Sequence, residues 1–540
     1  MFLFKKEKEI QFKNYFVLSN IVKFLDNNVD ILNFIRVCKF SYEQKKFIRF
    51  HNFPNYYCSK IISKVMDSPK TLKPSILPPP SKVIEITESI FEFFVKKVTS
   101  VLEPSVNVDE LFSYIPNRFN RLVLNDIGDY YIYKKYFESR LDVLEVLCSW
   151  RRDGIDGCSD GFSGFTSESI RKLSIYGLHH TTENQFIPPK LEFLRIQFKI
   201  QFDSLPTTLT TLIIDNLYST DLEGVKFPPF LTHLQLPTTF SMHIKASYLP
   251  STLTRLDLGN FFESPIDVGA LPESLTYLNM GGYNKPLREG LIPQFVKVLI
   301  FYYCSQEIQY LPKSLEYLKI SSDSKITLYP HVLDNCVNLT SVYLLINENI
   351  PLQPNCLPHS ITDLTLGCSY NLTNGTLPKS LKTLKFIKYG RSMLDLAPLP
   401  NSLVSIEFCE YYNSPLPLTI FDGCNQLKFL KFGYKFDQTI EDGVLPVNLE
   451  TLILDKPYNK LLPKLPRTLK HLSFGSSYNQ PIPSKILPNS LETISFGFSF
   501  NQLEGTILPP NLKNLTLPFR HQKDISKFCS YYKNINIEYR

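Results

Sequence analysis

The sequence lacks the features that define several large classes of protein. Its 11 cysteines are scattered, odd in number and free of any Cys-x-x-Cys pair, so a secreted disulfide scaffold is not indicated. Several of them occupy apolar positions, where cysteine packs as a small hydrophobe. The first nine residues contain no apolar run long enough for a signal peptide or a membrane span. We therefore expect a soluble, reduced, cytoplasmic protein with no membrane partner.

Excess positive charge is also lacking over most of the chain. The formal net charge is +7, and residues 1–64 supply all of it, with 12 Lys or Arg against 5 Asp or Glu. The remaining 476 residues hold 46 residues of each sign. A nucleic-acid groove needs a basic stripe along the binding surface, so we expect no nucleic-acid partner.

Motifs for catalysis and cofactor binding are nearly absent. The chain has no Gly-x-x-x-x-Gly-Lys loop and neither His-Arg-Asp nor Asp-Phe-Gly, which argues against nucleotide and kinase chemistry. One match to the Gly-x-Ser-x-Gly pattern of a nucleophile elbow lies at residues 157–161, but an aspartate-rich polar loop surrounds it. The nearby aspartates lack calcium-loop spacing, and His179-His180 has no metal-binding partner at helical spacing. We expect no enzyme activity, cofactor or metal.

The sequence contains many copies of one motif, Leu-Pro-x-x-Leu-x-x-Leu-x-Phe/Leu, which recurs from Pro188 to Leu517 in steps of mostly 20 to 22 residues. Two long gaps close when Cys336 and Cys424 take the proline position, which gives 16 units. A fixed period in the twenties predicts a solenoid. The proline itself stands at positions 188, 206, 228, 250, 272, 293, 312, 358, 378, 400, 446, 466, 488 and 509.

Inside each unit, the spacing of apolar residues predicts a short strand. In Thr493-Ile494-Ser495-Phe496 the apolar residues are two apart, which is the period of a strand with one buried face. Leu491 falls outside this alternation and belongs at the preceding bend, while Pro488 suits an extended connection because it lacks an N–H. The fold class is therefore a β-rich repeat solenoid with one parallel β-sheet and irregular or 3₁₀ connections. Strands are predicted near residues 194–196, 212–214, 256–258, 318–320, 384–386, 472–474 and 494–496.

In many units the strand is followed by an aromatic residue and Asn, which we call the aromatic-Asn step. A polar residue comes next, often with Pro-Ile or Pro-Leu after it. This pattern resembles the FNIP repeat, a relative of the leucine-rich repeats, over roughly residues 165 to 518. The resemblance implies a leucine-rich-repeat-like horseshoe used for protein contacts, with no chemistry of its own. An Asn at a bend satisfies backbone groups left unpaired by a strand ladder, so we expect a structural role for it. The copies are Tyr283–Leu287, Tyr370-Asn371, Tyr412–Leu416, Tyr458-Asn459, Tyr478–Ile482 and Phe500–Gln502, with Phe436–Gln438 as an Asp variant.

Residues 15–50 show apolar residues at helical spacing, and we expect a small all-α module there. The stretches 17–26, 30–31 and 37–39 resemble an F-box, the helical module that binds the Skp adaptor of cullin-RING ubiquitin ligases. The alternative is a helical cap over the open end of the solenoid, which such arrays require. The F-box resemblance implies an adaptor-binding surface and its supports at Leu18, Ile21, Leu25, Val37 and Cys38.

These observations divide the chain into four parts. Residues 1–64 form the F-box-like module, and residues 65–114 form a proline-rich linker followed by an amphipathic helix with an apolar stripe from Val83 to Val101. Residues 115–518 form the solenoid, with clear repeats from about residue 165. Residues 519–540 form a C-terminal cap, in which we expect a helix and a strand.

The residues that flank the buried strand positions should point to the concave face of the solenoid. Neighbouring strands about 4.8 Å apart stack these side chains in columns. Most columns are mixed and polar, such as Thr493 and Ser495 near the end. Four consecutive middle units instead gather aromatic and aliphatic side chains, which either cover each other or form a hot spot for a protein target. This aromatic patch consists of Tyr277, Val298, Ile300, Tyr302, Tyr317, Tyr343 and Leu345.

Two functions remain open from the sequence. The first is a substrate receptor of a cullin-RING ligase, in which the N-terminal module engages a Skp-type adaptor and cullin while the solenoid captures a protein target. The second is a plain interaction scaffold, for example in signalling, with a helical cap and no link to a ligase.

Overall fold

The structure, a computed structural model, describes most of the chain from residue 169 onward and, before that residue, only the backbone of five short strands. The chain forms two compact units, Met1–Pro237 and Thr238–Arg540. The described residues are 2–4, 10–12, 85–87, 121–124, 143–147, 169–176, 187–197, 202–215, 222–303, 308–322, 331–346, 352, 354–367, 372, 374–387, 398–483, 485–503, 506–522 and 535–539.

In the first unit, one antiparallel pair is followed by a parallel sheet whose strands lie side by side in chain order. The antiparallel pair is formed by β1 (Phe2–Phe4) and β2 (Ile10–Phe12). The parallel sheet consists of β3 (Glu85–Thr87), β4 (Arg121–Leu124), β5 (Val143–Leu147), β6 (Lys172–Tyr176), β7 (Phe193–Ile196), β8 (Thr211–Ile214) and β9 (His233–Gln235). The array therefore begins upstream of the clear repeats, as the sequence around residues 115–124 predicts.

Strand β3 differs from the amphipathic helix that we predicted across this segment. Residues 85–87 are extended and pair in parallel with β4. The physical reason is visible in Val83-Ile84-Glu85-Ile86-Thr87, where β-branched residues with period-2 alternation favour a strand over a helix. The rest of the predicted helix lies outside the described residues, as do the linker and the predicted helices of residues 15–50.

In the second unit, too, the strands form a parallel sheet in chain order. Its strands are β10 (Arg255–Asp257), β11 (Tyr277–Asn279), β12 (Val298–Tyr302), β13 (Tyr317–Ser322), β14 (Ser341–Ile346), β15 (Asp363–Gly367), β16 (Thr383–Ile387), β17 (Ser405–Glu407), β18 (Phe429–Lys431), β19 (Thr451–Leu454), β20 (His471–Phe474), β21 (Thr493–Ser495), β22 (Asn514–Leu517) and β23 (Asn536–Tyr539). All seven strands that the sequence predicts are present, each beginning one residue earlier than expected. The prediction of a parallel sheet is confirmed in each unit.

The same turn precedes each strand from β7 to β22. The N–H three residues after the repeat proline donates to the proline carbonyl, as in Leu491 to Pro488 at 3.1 Å, and this bond occurs at all fourteen repeat prolines. The same bond joins Leu339 to Cys336 at 3.0 Å and Leu427 to Cys424 at 3.1 Å. The assignment of these two cysteines to the proline position is therefore confirmed.

Alternation along the strands whose side chains the structure describes places one row of side chains in the core. Leu299 and Phe301 of β12 are fully buried, while Val298 and Tyr302, which flank them, are half-buried on the other face, and Ile300 on that face is 8% exposed. Because the strands pair in register, the core residues stack into continuous apolar columns that run from coil to coil. No coil buries its apolar residues alone, so stability accumulates along the array.

A stack of aromatic rings lies beside the apolar columns. Tyr412, Phe436, Tyr458, Tyr478 and Phe500 follow one another with ring centres 6.0 to 6.3 Å apart and nearly parallel planes. These are the aromatic residues of the aromatic-Asn steps. The aromatic residue of the aromatic-Asn step therefore contributes to the core at the bend that follows the strand.

The C-terminal segment and the cysteines complete the second unit. Residues Phe519–Gln522 form a 3₁₀-helix, and β23 pairs with β22, so the predicted terminal strand is present, whereas the helix expected before it lies outside the described residues. Cys336, Cys356 and Cys424 are buried and not disulfide-bonded. Cys409 takes part in a disulfide, which differs from the expectation of fully reduced cysteines. In the part of the chain that the structure describes, no helix is long and apolar enough to cross a membrane.

Candidate functional site

The candidate site lies on the open face of the second unit's sheet, the face whose side chains alternate with the buried ones. The structure brings the seven residues of the aromatic patch together on four neighbouring strands, β11 to β14. Tyr277, Val298 and Tyr317 occupy one row, because these residues are register partners. Six of the seven side chains are half-buried, while Ile300 is 8% exposed and lies beneath its neighbours.

Two cations, Arg255 and Lys319, lie over tyrosine rings of this patch. Neither was among the patch residues predicted from the sequence. The guanidinium carbon of Arg255 is 3.6 Å from the ring centre of Tyr277. The ammonium of Lys319 lies 4.8 Å from the ring centre of Tyr302 and 4.9 Å from that of Tyr343. Such distances allow cation–π attraction. The strand alternation that identifies Tyr317 also places Lys319 on the same face, and this signal was present in the sequence.

Two tyrosine hydroxyls of the patch are held in the protonated state by burial. Burial raises the pKa of the Tyr277 hydroxyl, while Arg255 lowers it in part. Burial likewise raises the pKa of Tyr317, against a lowering effect from Lys319. Both hydroxyls therefore stay protonated at neutral pH, and each presents a hydrogen-bond donor beside a large apolar ring.

An exposed aromatic pair extends the patch along the edge where the strands end. Phe261 and Tyr303 stack with their ring centres 5.5 Å apart, although they are 57% and 46% exposed. Tyr303 has φ of +55°, a left-handed conformation that is rare for a bulky residue. Its N–H donates to Ser321 O at 2.7 Å, which holds the strained backbone in place. Backbone strain of this kind is concentrated at functional sites.

A second feature of the open face is a groove of about 400 Å³ near the C-terminal end of the unit. Its walls combine leucine and isoleucine with polar hydroxyl, amide, imidazole and carboxylate groups, and contain no Tyr, Phe or Trp. The sequence predicts this polar character at Thr493 and Ser495 but not the groove itself, because its depth depends on how five strands pack. The residues that line it are Thr451, Leu452, Ile453, His471, Leu472, Ser473, Thr493, Ser495, Asn514, Leu515, Thr516, Asn536 and Glu538.

The other candidate residues from the sequence cannot be placed in this site. The predicted adaptor-binding residues Leu18, Ile21, Leu25, Val37 and Cys38 lie outside the described residues, as do the Gly-x-Ser-x-Gly match, its neighbouring aspartates and His179-His180. Among the residues that the structure describes, no group of three or more His, Cys, Asp or Glu side chains is arranged to hold a metal ion.

Comparisons with known proteins agree with the repeat pattern. The FNIP Repeat family model matches residues 240–282, 283–323, 349–389, 412–456 and 458–499. A curated relative, an FNIP repeat-containing protein of Dictyostelium discoideum, is 31% identical over 161 residues, which are 28% of this chain and 44% of the relative. The chain thus spans less than half of that relative's length.

Two solved structures show some similarity in fold. CroV588, described as a novel circular LRR protein, is 24% identical, with 79% of this chain and 76% of that chain covered at a TM-score of 0.49. TLR13 in its complex with ssRNA13 is 15% identical, with coverages of 80% and 79% and a TM-score of 0.49. The family matches coincide with the aromatic-Asn steps and the strands described above, and the chain therefore carries FNIP repeats in five segments between residues 240 and 499.

Proposed function

We propose that this protein is a non-enzymatic binding protein that captures a protein target on the aromatic patch of its second unit. The observation that supports the proposal most strongly is the gathering of four half-buried tyrosines on four adjacent strands of an otherwise mixed and polar sheet face. A repeat solenoid of this kind is typical of interaction scaffolds, since it presents an extended surface of stacked side chains.

The chemistry of the patch suits a protein partner. Tyrosine offers a large apolar area and a polar tip, loses little rotamer entropy on binding, and is enriched among the residues that dominate interface energies. The rings of Tyr302 and Tyr317 provide apolar contact area, while their hydroxyl groups are available to a partner's backbone. The exposed pair Phe261 and Tyr303 would continue the same contact at the edge of the sheet.

We also propose a cellular role for target capture, namely that of a substrate receptor of a cullin-RING ligase in the cytoplasm. The support is the F-box resemblance of residues 17–39, in which Leu18, Ile21 and Leu25 would contact a Skp-type adaptor that recruits cullin. The alternative is an interaction scaffold whose N-terminal segment caps the solenoid and binds no adaptor.

The experiment that tests target capture compares two double variants of the full chain. A partner is first identified by co-purification from native cytosol, and its affinity is then measured by calorimetry. Tyr302→Ala with Tyr317→Ala should weaken binding by more than about 2 kcal/mol if both are hot-spot residues. The matched control is Thr493→Ala with Asn514→Ala. It changes the groove near the C-terminal end of the same sheet face and should leave binding intact.

The melting temperature separates lost contacts from lost structure. Tyr302 and Tyr317 lie on the open face and are not part of the buried columns, so their removal should change melting little. Unchanged affinity in the tyrosine variant would reject the patch. A loss of affinity confined to the groove variant would move the binding site to β19–β23.

A further inference from the structure

The cations of the aromatic patch differ from the other lysines on the same face. Among the described residues, Lys385 lies 3.2 Å from Glu407 and Lys431 lies 3.7 Å from the same carboxylate. Neither Lys319 nor Arg255 has a carboxylate partner among the described residues. Lys319 instead donates to the hydroxyl of Tyr302 at 3.3 Å. The patch therefore holds two positive charges that the described part of the chain does not neutralise by direct pairing.

Tyrosine rings fix both cations in position. Lys319 stands between the rings of Tyr302 and Tyr343, and the guanidinium carbon of Arg255 lies 3.6 Å from the ring centre of Tyr277. A long charged side chain normally loses rotamer entropy when it binds, and much of that cost falls away when the side chain is already held. The two cations are thus preorganised to donate hydrogen bonds to negatively charged groups of a partner.

The carboxylates nearest to this region are engaged in local contacts. Asp257 of β10 accepts the N–H of Gly259 at 2.9 Å, and Asp363 of β15 accepts the hydroxyl of Thr362 at 2.7 Å. Asp257 shares β10 with Arg255 and lies in the row of Lys319, and Asp363 lies on β15. The open-face positions of β11 to β14 carry no carboxylate. The region between Arg255 and Lys319 therefore presents cations and tyrosines to a partner.

We propose that the patch binds an extended acidic segment of its protein target, with carboxylates at positions i and i+4 that contact Lys319 and Arg255. This inference rests on the proposed function. The spacing follows from geometry. Three strand intervals of about 4.8 Å separate β10 from β13, and Lys319 lies two residues further along its strand than the register partner of Arg255, so the two backbone positions are about 16 Å apart. Four residues of an extended chain span about 14 Å, and the long Lys and Arg side chains cover the remaining distance. An even separation also places both carboxylates on one side of the segment, with residue i+2 facing the tyrosines.

The test is a selection from a phage-displayed library of random linear twelve-residue peptides against the full chain. Phage that also bind the Tyr302→Ala/Tyr317→Ala variant are removed by counter-selection. The expected result is enrichment of Asp or Glu at two positions four residues apart, above the frequency in the unselected library. Synthetic peptides from the selection should then bind Lys319→Ala about tenfold or more weakly than the wild type, because one charge is left unpaired.

The matched control is Lys385→Ala, since Lys385 lies in the same row of the open face but is paired with Glu407. This variant should bind the selected peptides as the wild type does. Equal losses in Lys319→Ala and Lys385→Ala would overturn the inference, because they would indicate general charge attraction rather than this site. Glutamine replacements at i and i+4 of the peptide should reproduce the loss seen in Lys319→Ala.

The outcomes separate this inference from the proposed function. Patch-dependent peptides without acidic enrichment would overturn the acidic partner and leave target capture on the patch standing. A selection that yields no patch-dependent peptide would overturn the acidic segment, while target capture on the patch would be rejected only by unchanged affinity of the Tyr302→Ala/Tyr317→Ala variant for the protein target. Binding of a fluorescent single-stranded RNA that is lost in Lys319→Ala would also overturn the inference, because the cations would then serve phosphates.

Discussion

The side-chain oxygen of Asn459 accepts the backbone N–H of Asn479, one coil further along, at 2.9 Å. The same bond links Asn413 to Asp437 at 2.9 Å, Asp437 to Asn459 at 3.0 Å and Asn479 to Asn501 at 2.8 Å. The Asn of each aromatic-Asn step therefore satisfies the next coil's backbone at a bend that the sheet does not reach. This continuous ladder confirms the structural role predicted for these residues.

Asn459→Ala should destabilise the array at this point by about 1 to 2 kcal/mol, because it leaves a half-buried N–H without its acceptor. Asn459→Asp is the matched control: it keeps a side-chain oxygen, as Asp437 naturally does, and should cost much less. The measurement is chemical denaturation followed by circular dichroism. Equal destabilisation by both variants would show that the amide group, and not the acceptor oxygen, matters at this position.

The predictable part of this fold is local and repeated. The bend at Leu491 and the strand that follows it can be read from a single unit, because proline chemistry and period-2 alternation act within ten residues. Successive copies of the motif then fix the register between neighbouring units. For this reason Cys336 and Cys424 could be assigned to the proline position without any contact information.

Those two cysteines also show why proline does not occupy the repeat position in their units. The N–H of Cys424 donates to Phe421 O at 3.0 Å, and that of Cys336 donates to Leu333 O at 2.9 Å. Proline has no N–H and would lose this bond. In these units, cysteine accepts the turn hydrogen bond with its carbonyl, as proline does, and its N–H also donates to the preceding loop.

Cys424→Pro should consequently be less stable than Cys424→Ala by about 1 to 2 kcal/mol, since only the alanine variant keeps the backbone bond. Both variants lose the buried thiol, so the comparison cancels that loss. Denaturant unfolding of the two proteins measures the difference. A proline variant as stable as the alanine variant would mean that the bond to Phe421 contributes nothing.

The part that the sequence did not reveal depends on residues far apart in the chain. The stacking of Phe261 on Tyr303 joins positions two coils apart, and Tyr303 adopts a backbone conformation that no local pattern in the sequence indicates. Lys319 could be placed on the open face by alternation, but its position between two rings follows only from the register of three strands. The groove at β19–β23 likewise arises from packing.

Ion pairs at the start of neighbouring strands predict a response to acid. Glu450 lies 2.7 Å from Lys470 and 2.9 Å from Lys428. Hydrogen bonds from Lys470 and then Lys428 lower the pKa of Glu450 to about 2, from an ordinary value of about 4.3. A lowered carboxyl pKa stabilises the folded state above the unfolded value, and this contribution is lost as the pH falls towards the folded value.

Between about pH 4.5 and pH 2, the wild type should therefore lose more thermal stability than Glu450→Gln. The difference should be small, because the pair is exposed to solvent, and should shrink further in 1 M salt, where screening acts over about 3 Å. Thermal melts across this pH range measure it. Parallel curves for the two proteins in low salt would show that Glu450 makes no pH-dependent contribution.

The ligase proposal makes its own prediction at the N-terminus. If residues 17–39 act as an F-box, Leu18→Ala with Ile21→Ala should abolish co-purification of the Skp-type adaptor and cullin, because apolar anchors dominate such small interfaces. The solenoid should stay folded, since its buried columns lie elsewhere in the chain. Affinity for the protein target should remain unchanged, and this is the internal control for the variant.

The reciprocal control is Tyr302→Ala with Tyr317→Ala, which should retain the adaptor and lose the target. A substrate receptor requires both activities to reside in one chain and to be separable in this way. Co-purification that survives the Leu18 and Ile21 changes, or that never occurs with the wild type, would favour the scaffold with a helical cap. In that case the target would still be captured on the aromatic patch, because the two predictions depend on different residues.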